Sequence, residues 1–84
     1  MTDARNGKAA AVEINLDRSQ IVANGKTREV RTGSTVSEFI ESLGLDAART
    51  IVELNGEPLE RNRFKETKLA PGARIEIAQM VGGG

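Results

Sequence analysis

The spacing of apolar positions along the chain changes period several times, and each change predicts an element. Ile21 and Val22 lead into Asn24-Gly25, a dipeptide that tolerates positive φ at both central positions of a type I′ turn. Residues 27–30 are therefore expected to return as the second strand of a hairpin. Beyond Gly33 the period becomes helical. Thr35-Val36-Ser37-Glu38 has the spacing of a capping box, in which Thr35 and Glu38 satisfy each other's free amides. Val36, Phe39, Ile40 and Leu43 then fall at i, i+3, i+4 and i+7 as one apolar stripe. Gly44 is placed to stop the helix in the left-handed conformation, with Leu45 folding back on Ile40, which predicts a helix of about nine residues.

The period returns to two at Thr50-Ile51-Val52-Glu53-Leu54, a β-branched run bounded by a second Asn-Gly pair at Asn55-Gly56; it reads as the third strand. Residues 58–67 are polar apart from Leu59 and Phe64, which predicts an irregular crossing or one short helical turn pinned by those two side chains. Pro71-Gly72 marks a tight turn, and Arg74-Ile75-Glu76-Ile77 alternates cleanly as a final strand. Past Ile77 the alternation fails. Ala78, Gln79, Met80 and Val81 hold more apolar residues than one buried face requires, and Gly82, Gly83 and Gly84 follow.

At the other end, residues 1–8 are polar with an Asn6-Gly7 breaker and read as a mobile terminus. Val12, Ile14 and Leu16 alternate with Glu13, Asn15 and Asp17, as either an extra edge strand or a weakly ordered arm. The chain thus divides into an N-terminal extension over 1–18, a folded domain over 19–81 and a tail over 82–84 that is expected to be flexible and reactive. Hairpin, helix, strand, crossing and strand make an α+β domain in which one helix covers a small mixed sheet. The first and last strands are expected side by side in its middle, so that the tail leaves a rigid strand for solvent.

Composition narrows the chemistry. Eighty-four residues with Phe39 and Phe64 as the sole aromatics give one small domain with a thin aliphatic core. Twelve basic and twelve acidic residues balance, which leaves no electrostatic footprint for nucleic acid or a membrane surface. No apolar run is long enough to span a bilayer or to serve as a signal peptide, so a cytoplasmic location is expected. The chain has no His and no Cys. That removes the commonest general base and metal ligand together with thiolate nucleophiles, disulfides and zinc–thiolate sites. Glu57 and Glu60 remain as an acid–base pair, but on a short polar connection they read better as solvated surface. Arg61, Arg63, Lys65 and Lys68, interleaved with Glu60 and Glu66, likewise read as a solvated face before a site for an acidic partner. No catalytic residue and no metal ligand is assigned, and a binding or carrier role is favoured by elimination.

Several of these segments recur together in a known group of proteins. The element order resembles the ubiquitin-like β-grasp fold. Asn24-Gly25-Lys26 before a short strand, Gly33-Ser34-Thr35-Val36 opening the helix, Leu43-Gly44-Leu45 closing it, Val52-Glu53-Leu54-Asn55-Gly56, and the Met80-Val81-Gly82-Gly83-Gly84 ending resemble the ThiS family of sulfur carriers. The resemblance implies that an E1-like adenylating enzyme uses ATP to activate the terminal carboxylate of Gly84. Sulfur relayed from a cysteine desulfurase or a sulfurtransferase then replaces the adenylate, and the resulting thiocarboxylate serves thiazole synthase in building the thiazole moiety of thiamine. The carrier is then not itself an enzyme and binds no cofactor, the ATP being used by its activating partner. The long segment ahead of the first expected strand departs from the family.

The ending suits that chemistry. Without a Cβ, Gly82 and Gly83 can thread a channel that other residues would block, leaving Gly84 as the reacting group. Ordering such a tail costs roughly 1–2 kcal/mol per residue, so an anchor beside it is needed. Met80 and Val81 are the candidates, methionine adapting to more than one surface; the alternative is that they finish the core on a frayed strand. Other roles remain open at this level. The chain also resembles carriers for molybdopterin synthesis, which usually end in Gly-Gly after a different apolar approach; a carrier role in tRNA thiolation is a further alternative. A ubiquitin-like protein modifier, or a β-grasp interaction module with an inert tail, are the readings from other classes.

Overall fold

The Asn-Gly pairs organise both edges of the sheet. The computed structural model describes residues 17–81, so the expectations for residues 1–8, for Val12, Ile14 and Leu16, and for Gly82, Gly83 and Gly84 lie outside the described residues. Within them, β1 (Arg18–Ala23) and β2 (Lys26–Arg31) form the expected hairpin. Asn24 and Gly25 adopt φ of 50° and 81°, the two positive values that a type I′ turn demands.

The helix α1 (Val36–Ser42) follows. Its capping box is complete: the Glu38 amide donates to Thr35 Oγ1 at 3.1 Å, and the Thr35 amide donates to Glu38 Oε1 at 2.9 Å. At the other end Gly44, with φ of 76°, donates to the Glu41 carbonyl at 2.9 Å, while the Leu45 amide donates to the Ile40 carbonyl at 3.2 Å. This paired bonding is the Schellman arrangement, and it draws Leu45 back against the core. The helix has seven residues against the nine expected, because Leu43 already leaves the helical ψ, at −1°.

A 3₁₀ turn (Ala47–Arg49) leads into β3 (Thr50–Leu54). The next segment corrects the expectation of a wholly irregular crossing. Asn55 and Gly56, with φ of 52° and 86°, close a second tight hairpin onto β4 (Glu57–Leu59). Three residues containing a proline carry no strand signal, yet Pro58 is tolerated because β4 is an edge and its missing amide would face solvent. Beyond it the expected short helical turn is present as a 3₁₀ turn (Arg61–Arg63), followed by the buried Phe64. Leu59 is half-buried against the same core. Leu69, unremarked in the polar crossing, is among the most buried side chains; its amide donates to the Ser34 carbonyl at 2.8 Å, tying the crossing to the start of the helix.

The last strand, β5 (Arg74–Gln79), completes a sheet of order β2-β1-β5-β3-β4. β1 and β5 are parallel neighbours near its middle, as expected, and the other pairings are antiparallel. Ile21, Val52 and Ile75 meet Val36, Phe39 and Ile40 of the helix in one core. Among the described residues no helix lies over the opposite face of the sheet. A short, proline-bearing β4 and a β2 carrying Lys26, Arg28 and Arg31 blunt the two edges against further strand pairing.

Candidate functional site at the end of the last strand

β5 outlasts its neighbour β1. The parallel pairing covers only Val22↔Arg74 and Ala23↔Ile75, after which β1 turns away at Asn24. The side chain of Asn24 then takes the place of a strand: the Ile77 amide donates to Asn24 Oδ1 at 2.7 Å, and Asn24 Nδ2 donates to the Ile77 carbonyl at 3.2 Å. Asn55 acts similarly at the strand's start, its Oδ1 accepting from the Arg74 amide at 2.9 Å. Both asparagines thus serve a turn and a tether to β5, the second role being invisible in a dipeptide motif.

On its other side β5 runs along β3 from Leu54↔Ile75 to Thr50↔Gln79, two residues past the expected end at Ile77. Gln79 Nε2 donates to Thr50 Oγ1 at 2.7 Å, and that hydroxyl, on a residue only 1% exposed, donates to the Asp46 carbonyl at 2.7 Å. The Met80 amide donates to the Arg49 carbonyl at 2.8 Å, and Arg49 Nη2 reaches back to the Met80 carbonyl at 3.4 Å. Arg61 Nε braces the same turn through the Ala47 carbonyl at 3.1 Å. The backbone is thereby fixed as far as Met80. Arg49, Thr50 and Gln79 escaped the sequence reading because the bonds join positions about thirty residues apart.

Met80 and Val81, the expected anchor, are 40% and 85% exposed, and neither belongs to the buried core. A third large apolar residue is exposed as well. Ile51 is 53% exposed on the open face, directly opposite Ala78. The signal for it was present in Thr50-Ile51-Val52: two consecutive apolar residues in a strand cannot both face one core. Between these strands lies a shallow depression of about 350 Å³, lined by Ile51, Glu53, Glu76, Ile77 and Ala78. Glu57 and Glu60 are exposed on β4 and beyond it, with no cleft joining them. The basic run is partly engaged at the surface, Arg63 pairing with Glu66 at 2.9 Å. Among the described residues no cluster of acidic side chains is arranged to hold a metal ion, and no helix is long and apolar enough to cross a membrane. The site is a surface with an exit point for the chain.

Comparison with known proteins identifies the group. A family model described as the ThiS family matches residues 12–84. The chain belongs to the ThiS family. The match starts ahead of β1 and extends through the three glycines. Among solved structures, the crystal structure of the thiamine biosynthesis protein ThiS from Geobacter metallireducens is 35% identical, with a TM-score of 0.67 over 77% of this chain and 99% of that one. A solution structure of a thiamine biosynthesis protein from Geobacter metallireducens is also 35% identical, with a TM-score of 0.63 over 77% and 87% of the two chains. The five-stranded mixed sheet with one helix is therefore the ubiquitin-like β-grasp fold of the ThiS family. A thiazole synthase of Paramagnetospirillum magneticum is 29% identical over 65 residues, 77% of this chain. The chain spans only 20% of the length of that curated relative.

Proposed function

We propose that this ThiS-family protein is a sulfur carrier of thiamine biosynthesis that works through the carboxylate of Gly84. The observation that carries the reading is the construction at the end of β5. Hydrogen bonds fix the backbone through Met80, and the four residues Val81, Gly82, Gly83 and Gly84 continue from that fixed point. Fully extended, four residues reach at most about 14 Å, so whatever acts on Gly84 must sit close to the sheet end. Glycines allow the close backbone approach that a buried reaction centre requires.

The chemistry divides between carrier and enzyme. A carboxylate is a poor electrophile. An E1-like adenylating enzyme would let a Gly84 carboxylate oxygen attack the α-phosphate of ATP, releasing pyrophosphate and leaving an acyl adenylate. The terminal sulfur of a persulfide on the cysteine desulfurase or sulfurtransferase then attacks the acyl carbon and AMP departs. A second thiol of the relay attacks the inner sulfur of the resulting acyl disulfide, forming a disulfide on the relay and leaving a thiocarboxylate. With no Cys in the chain, sulfur cannot ride on a side-chain thiol. In this scheme the protein is a co-substrate of enzymes and holds no cofactor of its own.

Thiazole synthase is the recipient favoured by the comparisons. In the Paramagnetospirillum relative, a stretch similar to this chain is part of a far longer polypeptide named thiazole synthase. A carrier and its acceptor joined in one chain would raise their effective concentration to each other. The names of the Geobacter neighbours also point to thiamine, over the molybdopterin and tRNA-thiolation roles.

Intact-protein mass spectrometry tests the proposal. Incubated with the activating enzyme, ATP and a sulfur source, the protein is expected to gain the mass difference between sulfur and oxygen. The variant lacking Gly84 is expected to gain none, and an equal gain by that variant overturns the reading. Adducts to lysines that survive reducing agent would instead mark a protein modifier.

A further inference from the structure

The end of β5 is held through a buried hydroxyl that the core itself does not ask for. Thr50 is 1% exposed and stands among the largest fully buried side chains, where a valine of similar shape would leave no polar group to satisfy. Burying a hydroxyl is unfavourable unless it is hydrogen-bonded, and this one is bonded on both sides. It donates to the Asp46 carbonyl at 2.7 Å and accepts from Gln79 Nε2 at 2.7 Å. The same Gln79 nitrogen lies 3.4 Å from the Arg49 carbonyl, which also receives the Met80 amide at 2.8 Å. Thr50↔Gln79 is the last pair of the β3–β5 ladder, and the pairing with β1 ended at Ile75. Gln79 therefore grips the frame where the ladder runs out, immediately before Met80 and the tail.

We propose that Gln79 and Thr50 are positioning residues for the reaction at Gly84: their bond fixes the root of the tail, so that the activating enzyme has to place only residues 81–84. The proposal rests on the carrier reading given above. Ordering each further residue costs conformational entropy, and that cost falls on the threading of the tail, after the carrier has bound. A loosened root leaves the enzyme to order Gln79 and Met80 as well. A reacting group displaced by as little as about 1 Å from the productive geometry reacts far more slowly. The effect is therefore expected in kcat and not in KM. Thr50 makes the distinction clean, because a side chain on a residue 1% exposed cannot touch a partner. It reaches the reaction only through Gln79 and the backbone that Gln79 holds.

The test is steady-state activation of the full chain by the adenylating enzyme with ATP and a sulfur source, the thiocarboxylate being read by mass, beside hydrogen exchange at the Met80 amide. T50V keeps the shape of the side chain and removes the hydroxyl. It is expected to lower kcat roughly fivefold, about the worth of one hydrogen bond, with KM for the carrier unchanged. T50S, which restores the hydroxyl, is expected to recover most of that loss. Q79M removes the same bond from an exposed residue, so it carries the test if T50V folds poorly, and its loss is expected to match. The double variant T50V/Q79M is expected to be no slower than either alone, because both break one bond. Exchange at Met80 is expected to quicken in both single variants while Ile75 stays protected. T35A, which opens the capping box at the start of the helix, is expected to keep wild-type kcat, separating positioning from stability. Wild-type kcat and Met80 exchange in T50V and Q79M, under conditions where the wild-type carrier gains sulfur, overturn the proposal and leave the carrier role standing. A raised KM with unchanged kcat in Q79M also overturns it, making Gln79 a contact with the enzyme. A wild-type carrier that gains no sulfur removes the carrier reading, and the positioning roles fall with it.

Discussion

The two halves of β5 share one strand and have opposite environments. Over Arg74 and Ile75 the strand has β1 on one side and β3 on the other, and Ile75 is fully buried, at 0% exposure, beneath the helix. Over Ala78 and Gln79, among the described residues, it keeps only β3 as a neighbour, and the exposed Met80 and Val81 follow. The first half holds the fold together and the second presents the chain. Asn24 marks the change: at Ile77 its side chain stands in for the strand that has turned away. A small domain can thus keep a rigid backbone where it has no core to give, provided polar side chains complete the ladder. The amide groups stay paired, as burial and stability require, while the apolar side chains remain free for a partner.

The contrast can be broken most severely at its buried end. Ile75→Ala is expected to lower unfolding free energy by about 2–5 kcal/mol through lost burial and a cavity. Ile51→Ala, on the open face, is expected to change it by no more than about 0.5 kcal/mol. Urea unfolding of the two variants side by side measures this, and similar losses would erase the distinction between the halves. The junction comes next. Asn24→Ala removes both bonds to Ile77 and puts at positive φ a residue that tolerates it less well than asparagine, for an expected loss of about 1–3 kcal/mol. Faster hydrogen exchange at the Ile77 amide, with Ile75 still protected, would locate the damage in the second half; a uniform increase would not. A smaller loss than at the junction is expected at the start of the helix. Thr35→Ala should remove about 1 kcal/mol by opening the capping box, and should add to Asn24→Ala because the two sites share no hydrogen-bond partner.

Legibility in the sequence tracked the range of each interaction. The capping box from Thr35 to Glu38, the Gly44–Leu45 stop and both Asn-Gly turns are local, each requiring a particular residue within a few positions, and all were readable. β4 was missed because three residues with a proline have neither length nor alternation to announce a strand. Leu69 was overlooked because a single apolar residue in a polar stretch has no period. At the candidate site, the unusual apolar content after Ile77 marked Met80 and Val81 without saying where they would point. Ile51 belonged with them and was missed as a site residue, since it lies on another strand.

The sequence by itself determined the helix and its caps, the tight turns, the class of fold, and the exclusion of histidine and cysteine chemistry. It could do so because those properties depend on residue type and short spacing. Only the tertiary structure decided that Asn24 and Asn55 tether β5, that Arg49 and Thr50 hold its end, and that Ile51, Glu53, Glu76 and Ala78 share one open face. These depend on strand register, and register is settled by burying one face of the whole sheet under the helix. No stretch of the chain carries that information alone.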